Sequence, residues 1–315
     1  MKLSVVIPCY NEEDNVIPLF ECIITILNTS TFKYELIFIN DGSTDNTFVL
    51  LNELYTKFPY LISVINFSRN FGKEAAIYAG LKHAKGDYVT IIDADLQQHP
   101  KLILDMVIFL EDNTRYDVVA AYQEHRIEGR IVSNAKNLFY KLINKVCDIN
   151  FYPGASDFRT FRKNVIEAII SLPEYFRFSK GIFSWVGFET YYMPYIVHER
   201  HSGKSKWSLK GLIKYAIEGF ISFTTFPLKL GTYLGILVSL LSVTYMIIVI
   251  IQKLFFSINI PGYPTLIVLI LFLGGIQLLI LGIIGEYLAR VYIQSKNRPI
   301  YIEKQYLEIQ ENNNN

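Results

Sequence analysis

Along the first 125 or so residues the apolar positions switch repeatedly between strand-like and helix-like spacing. Leu3 to Ile7 is a short β-branched apolar run, followed by a polar turn and a helix-like stretch from Asn15 to Leu27. Glu35 to Ile39 predicts a second strand, ending in the polar run Asn40-Asp41-Gly42-Ser43-Thr44-Asp45. Gly42 permits a turn there, and Asp45 is placed to cap a helix running through Tyr55. Leu61 to Asn66 predicts a third strand, Lys73 to His83 a helix containing Gly80, Tyr88 to Ile92 a fourth strand, and Val118 to Ala121 a further one. Alternation of this kind predicts an α/β fold with a mainly parallel sheet covered by helices on both faces. Ligands on such sheets bind beyond the carboxyl ends of the strands. Cys9 to Glu13, Asn40 to Asp45 and Asp93 to Gln97 all fall on that edge.

The pattern changes toward the C-terminus. Leu230 to Ile251 and Thr265 to Ile284 are runs without a charge, each long enough for a helix to cross a hydrocarbon core of roughly 30 Å. Ahead of them, Lys206, Lys210, Lys214 and Glu218 recur every fourth residue, with Leu212, Ile213, Ala216, Ile217, Phe220 and Ile221 on the other side of the same helix. Such a helix lies at a membrane interface or packs on a soluble core. Arg126, Arg130, Lys136, Lys141 and Lys145 form a further basic stretch, which is either a solvated helix face or a collector of anionic headgroups or phosphate.

Composition narrows these readings. The 315 residues are 51% hydrophobic and 19% charged, too apolar for an ordinary soluble chain. A net charge of +1 argues against a nucleic-acid partner. Cys9, Cys22 and Cys147 are odd in number and lack metal-ligand spacing, which suits a reducing compartment. Leu3 to Ile7 is too short for a secretory h-region. Lysines precede the first apolar run, and Arg290, Lys296 and Arg298 follow the second, whereas the connecting segment is nearly uncharged. The positive-inside rule therefore places both ends in the cytoplasm, with a short hairpin facing out of the cell (inner) membrane. Gly274, Gly275, Gly282 and Gly285 would permit close helix contact, and hence a homo-oligomer.

Asp93 and Asp95 end the fourth strand. Residues i and i+2 of a strand point to one side, so the two carboxylates can converge on a cation. Mg²⁺ is commonly held by one or two carboxylates together with substrate phosphates. Taken alone, the pair is equally a solvated loop with two surface aspartates.

Val5-Val6-Ile7-Pro8-Cys9-Tyr10-Asn11-Glu12-Glu13, Asn40 to Asp45 and Asp93-Ala94-Asp95-Leu96-Gln97 resemble the successive motifs of family 2 glycosyltransferases of the GT-A fold. Ser68 to Ala76, Ser156-Asp157-Phe158-Arg159 and Arg200 to Trp207, with the two apolar runs, resemble the polyprenyl-phosphate glycosyltransferases within that family, including bactoprenol glucosyltransferases and enzymes like dolichol-phosphate mannose synthase. The resemblance implies a GT-A catalytic domain over residues 1–206, a juxtamembrane amphipathic helix over 207–228, a transmembrane hairpin over 229–289 and a cytoplasmic tail over 290–315. It implies inverting transfer of one sugar from a nucleotide-sugar donor, UDP-glucose-like, to polyprenyl (undecaprenyl) phosphate at the cytoplasmic leaflet of the bilayer, with Mg²⁺ or Mn²⁺ as cofactor.

Position by position, the resemblance puts Asp41 at the nucleotide base, with Pro8, Tyr10 and Glu12 nearby. It puts Asp93 and Asp95 at the metal and donor diphosphate, with Asp95 counted among the catalytic residues. Arg200 and Lys206 fall in a loop that closes over the diphosphate, and Arg126 and Arg130 are expected on the acceptor. Asp157 occupies the position generally assigned to the base. A phosphate monoester loses its second proton near pH 6, so such an acceptor needs little help from a base, and Asp157 is expected to orient it or to screen developing positive charge. A Gln-x-x-Arg-Trp segment is absent and two spans are too few for a secretion channel, so processive synthesis is not expected. Three alternatives stay open on residues alone: another lipid acceptor such as diacylglycerol, a different sugar or nucleotide, and a catalytically silent nucleotide-sugar-binding scaffold.

Overall fold

The computed structural model describes residues 2–123, 144–145, 152–196, 221, 223–256 and 262–310. They form two compact units, one built from residues up to 219 together with 298–315, the other from 220–297.

The first unit is a mixed sheet of eight strands: β1 (Lys2–Cys9), β2 (Lys33–Asn40), β3 (Ile62–Phe67), β4 (Tyr88–Ile91), β5 (Val118–Gln123), β6 (Ala155–Arg162), β7 (Thr190–Tyr195) and β8 (Glu303–Leu307), in the order β7-β5-β6-β4-β1-β2-β3-β8. The β4-β1-β2-β3 core is parallel, as the alternating pattern predicts. Its strands read as continuous apolar runs because both faces are covered; all six residues of β3 are buried. Helices α1 (Val16–Leu27), α2 (Thr47–Lys57), α3 (Lys73–His83) and α4 (Lys101–Asp112) follow the first four strands. In α1 the buried positions are Val16, Leu19, Phe20, Ile23 and Leu27, one helical stripe. Gly80 in α3 sits against the Val6 side chain, where an added Cβ would overlap Val6 Cγ1, so its lack of a side chain sets how closely the helix approaches the sheet.

Sequence periodicity missed β6, β7 and β8. β6 runs antiparallel between β4 and β5, through the register pairs Ile91–Arg159 and Tyr88–Arg162. β8 pairs antiparallel with β3, and the adjoining Tyr301 is buried, stacked on Phe67 with ring centroids 4.8 Å apart. The C-terminal residues beyond the apolar runs thus supply an edge strand rather than only a polar tail. Among its described residues the unit also has two shorter helices, α5 (Lys163–Ser171) and α6 (Ser179–Trp185).

In the second unit α7 (Phe226–Phe256) and α8 (Tyr263–Ser295) are long apolar helices, with segments Phe226–Val249 and Val268–Ser295 long and apolar enough to cross a membrane. They pack on each other where Gly231 meets Ile280, and the Tyr287 hydroxyl donates to the Thr224 carbonyl at 2.7 Å. Gly274, Gly275, Gly282 and Gly285 face open space. Most of the expected amphipathic helix, residues 207–220, lies outside the described residues.

Candidate active site

The loops after β1 and β2 are fastened to each other. The Asn11 N–H donates to Ser43 Oγ at 2.9 Å, Thr44 N–H to Asn11 Oδ1 at 2.8 Å, and Glu12 N–H to Thr47 Oγ1 at 2.8 Å. Asp45, expected as a helix cap, accepts the Thr47 N–H at 3.0 Å from two residues before it, an Asx-type turn that feeds the first turn of α2. Glu12 accepts from the Asn15 side chain at 2.6 Å. Tyr10 is 37% exposed at the rim, and Pro8 lies at the end of β1.

Asp41 is buried, and its two carboxylate oxygens accept the N–H groups of Phe71 at 2.6 Å and Gly72 at 2.9 Å. Burial raises its pKa to about 6, against the lowering effect of those two N–H groups and of Arg69. The residue thereby ties the β2 loop to the segment that opens α3. Each oxygen keeps further lone-pair capacity for a ligand. Gly42, with φ +62°, passes so close to the Arg69 backbone that any Cβ would overlap it. The two loops approach each other only because a glycine stands there.

The first residue of α3 is the centre of the site. Lys73 Nζ lies 2.7 Å from Asp93 Oδ1 and 2.9 Å from Asp157 Oδ2. The two aspartates meet through the sheet: continuing the β4–β6 register beyond Ile91–Arg159 sets position 93 opposite position 157. Burial alone would lower the Lys73 pKa, but Asp157 and Asp93 outweigh it and hold the ammonium above its ordinary range. Burial would likewise raise Asp157, and Lys73, Lys180 and Arg159 overcome it, holding the carboxyl well below the usual range. Among the described residues, Asp157 Oδ1 is buried without a hydrogen-bond partner.

Asp93 also receives Gln98 Nε2 at 3.4 Å and sends its own N–H to Gln98 Oε1 at 3.1 Å, while Asp95 Oδ1 accepts the Gln97 N–H at 3.2 Å. Leu96, directly after the two carboxylates, adopts φ +58°, a left-handed backbone conformation. No cluster of three or more His, Cys, Asp or Glu side chains able to hold a metal occurs among the described residues. Asp93 and Asp95 nevertheless fit Mg²⁺ or Mn²⁺ as donors. Hard cations need only one or two carboxylates when a diphosphate supplies the other oxygens.

Lys73 and Asp157 also border a cleft of about 590 Å³, lined by Arg69 to Ala75, Asp157, Tyr175 to Arg177, Lys180 and Ile300. Glu74 shapes it. Its Oε2 accepts both the N–H of Ser179, at 2.8 Å, and the Ser179 hydroxyl, fixing the start of α6 against α3.

The structure therefore brings Asp41, Asp93 and Asp157 around the Phe71-Gly72-Lys73 segment, with Asp95 two residues beyond Asp93. Arg126, Arg130, Arg200 and Lys206 lie outside the described residues. Sequence reasoning gave no role to Lys73, Glu74 or Lys180. The first two stand inside the Ser68 to Ala76 stretch that carries part of the family resemblance, but nothing in that stretch shows that Lys73 faces two carboxylates, one from the loop after β4 and one from β6.

A mainly parallel sheet with acidic loops gathered on one rim is a GT-A-like fold, the fold class of glycosyltransferases. Residues 4–170 match Glycosyl transferase family 2 and residues 226–291 match the GtrB C-terminal hairpin, and the chain belongs to glycosyl transferase family 2. It is 42% identical over 303 residues to an uncharacterized glycosyltransferase of Synechocystis sp., covering 96% of this chain and 94% of that one. It is 41% identical over 305 residues to the bactoprenol glucosyl transferase of Shigella phage SfV, covering 96% and 98%. Among solved structures it is similar to the mannosyltransferase PcManGT from Pyrobaculum calidifontis in complex with GDP-Man and Mn²⁺, with a TM-score of 0.50 at 16% identity over 70% of this chain and 63% of that one, a likeness of fold.

Proposed function

We propose that this glycosyltransferase moves one sugar, with inversion, from a nucleotide-sugar donor of the UDP-glucose type to polyprenyl phosphate in a membrane. The observation that carries the reading is similarity along almost the whole chain, apolar hairpin included, to proteins named bactoprenol glucosyl transferase. The two apolar helices would anchor it, with both ends on the cytoplasmic side, where the lysines and arginines flanking the hairpin sit favourably. Residues 1–206 would carry catalysis, and 207–228 would lie along the interface.

In this reading the rim formed by Pro8, Tyr10, Glu12 and Asp41 receives the nucleoside, and Arg200 and Lys206 close over the diphosphate. Asp93 and Asp95 would hold Mg²⁺ or Mn²⁺, which when bound neutralises charge on the departing nucleoside diphosphate. Lys73 keeps Asp93 and Asp157 in fixed positions, so that neither carboxylate must reorganise as charge develops. The acceptor phosphate oxygen forms its bond to C1 as the bond from C1 to the diphosphate breaks, and the electron pair leaves with the nucleoside diphosphate. The dianionic acceptor carries no proton to remove. Asp157 then orients the acceptor and screens positive charge at C1, while Arg126 and Arg130 contribute to holding the phosphate.

The test is a transfer assay with purified full-length protein, undecaprenyl phosphate and a panel of radiolabelled nucleotide sugars, with and without Mg²⁺ or Mn²⁺. Labelled polyprenyl-phosphate sugar is the expected product, with metal required. Labelling of diacylglycerol but not of polyprenyl phosphate would overturn the acceptor assignment.

A further inference from the structure

Four cations line the cleft beside Asp157: Arg69, Lys73, Arg177 and Lys180. Three are committed. Arg69 lies over the Phe71 ring and donates to the Asn70 carbonyl. Lys73 is shared between two aspartates. Arg177 donates to the carbonyls of Leu172 and Ile169 and lies over Tyr78. Lys180 alone among them forms no direct ion pair or side-chain hydrogen bond within the described residues, although its charge acts on Asp157 through space. Glu74 fixes the residue before it, so the position of Lys180 at this wall is built rather than incidental.

A dianionic phosphate cannot settle beside the ionised Asp157 unless a cation offsets the repulsion between them. Lys73 is already balanced by two carboxylates. Arg69 and Arg177 keep their charge but are held by ring and carbonyl contacts, and among the described residues Lys180 is the cation of this wall with no direct contact of its own. We propose that Lys180 docks the phosphate of the lipid acceptor in this cleft, whose lining includes Asp157 but neither Asp93 nor Asp95. The inference rests on the acceptor being a polyprenyl phosphate. Lys180 is a binding and positioning residue in this scheme: its ammonium donates to a phosphate oxygen and aligns another oxygen with C1.

The experiment measures binding of citronellyl phosphate, a short prenyl phosphate, to the full-length protein in detergent by calorimetry, together with steady-state KM values for donor and acceptor. Lys180→Ala is expected to weaken citronellyl phosphate and raise the acceptor KM by about tenfold or more, the loss typical of one charge-assisted hydrogen bond, with the donor KM unchanged. Lys180→Arg is expected to recover most of the affinity, which also separates charge from folding. Unchanged acceptor affinity in Lys180→Ala, or a raised donor KM instead, overturns the assignment while leaving the proposed acceptor intact. If the wild-type protein itself binds no citronellyl phosphate and glycosylates no prenyl phosphate, the acceptor reading falls, and this inference with it.

Discussion

Lys73 holds Asp93 and Asp157 with one ammonium group, at 2.7 Å and 2.9 Å, and so links the end of β4 to β6. The contact gathers residues 20 and 84 positions away from Lys73 in the chain, and it joins the carboxylate expected at the metal to the one expected at the acceptor.

Replacing Lys73 by Met leaves two carboxylates facing each other. The lysine side chain is 35% exposed, so solvent screening trims the stability loss to about 1–2 kcal/mol rather than the 3–5 typical of a fully buried pair. Activity is expected to fall by about 10²-fold or more, because both carboxylates lose their fixed position. Denaturant unfolding and kcat measured on one preparation check both parts. A variant with wild-type kcat would remove Lys73 from the mechanism.

Asp157 has a depressed pKa in the folded state. Its contribution to stability is therefore complete above the unfolded value of about 3.9 and is lost as pH falls toward the folded value. Asp157→Asn should flatten the acid limb of a thermal-stability profile below about pH 4. Because a dianionic acceptor needs no base, the variant is expected to retain measurable transfer at pH 9. Complete loss there would restore an essential base or metal-linked role.

Asp41 titrates near 6. Below that pH it is neutral and holds the Phe71 and Gly72 N–H groups less strongly, so donor affinity should fall as pH drops from 7 to 5. A nucleotide sugar is the right probe, since its diphosphate has no terminal phosphate to titrate in this range. Calorimetry should show the slope in the wild type and a flat, weaker response in Asp41→Asn. An identical slope in the variant would assign the titration elsewhere.

Asp95→Asn is expected to weaken Mn²⁺ binding in the presence of donor, read by electron paramagnetic resonance, and to lower kcat by about 10²-fold. Asp93→Asn should do the same and also release one contact of Lys73. Unchanged Mn²⁺ affinity in both variants would refute these residues as the metal ligands.

Tyr301→Ala removes a buried ring stacked on Phe67 beside the β8 edge strand. A loss of about 3 kcal/mol is expected, the low end for deleting a buried aromatic. A loss under about 0.5 kcal/mol, typical of a surface change, would mean that the segment after the apolar helices does not contribute to the sheet's stability.

The acidic rim of the candidate site was legible along the chain. Asp41, Asp93 and Asp95 follow apolar runs directly, and the polar clusters had to fall on one rim because parallel strands all end on the same side. β6 was not legible. Its residues Ala155 to Arg162 mix Ser, Asp, Arg and Thr with two phenylalanines and show no clear apolar run. Its place in the sheet depends on pairing with β4 and β5. The short, polar β8 needed the exposed edge of β3 to become a strand at all.

By itself the sequence determined the alternating sheet core, the acidic rim and two helices able to cross a membrane, because local periodicity and the length of apolar runs encode those directly. Only the tertiary structure decided that Asp157 stands opposite Asp93, that Lys73 ties them together, and that Lys180, without a direct ion pair among the described residues, lines the cleft beside them. Those relationships arise from strand register and helix docking between distant segments, and no local pattern specifies which charges will be consumed by one another and which will remain for a ligand.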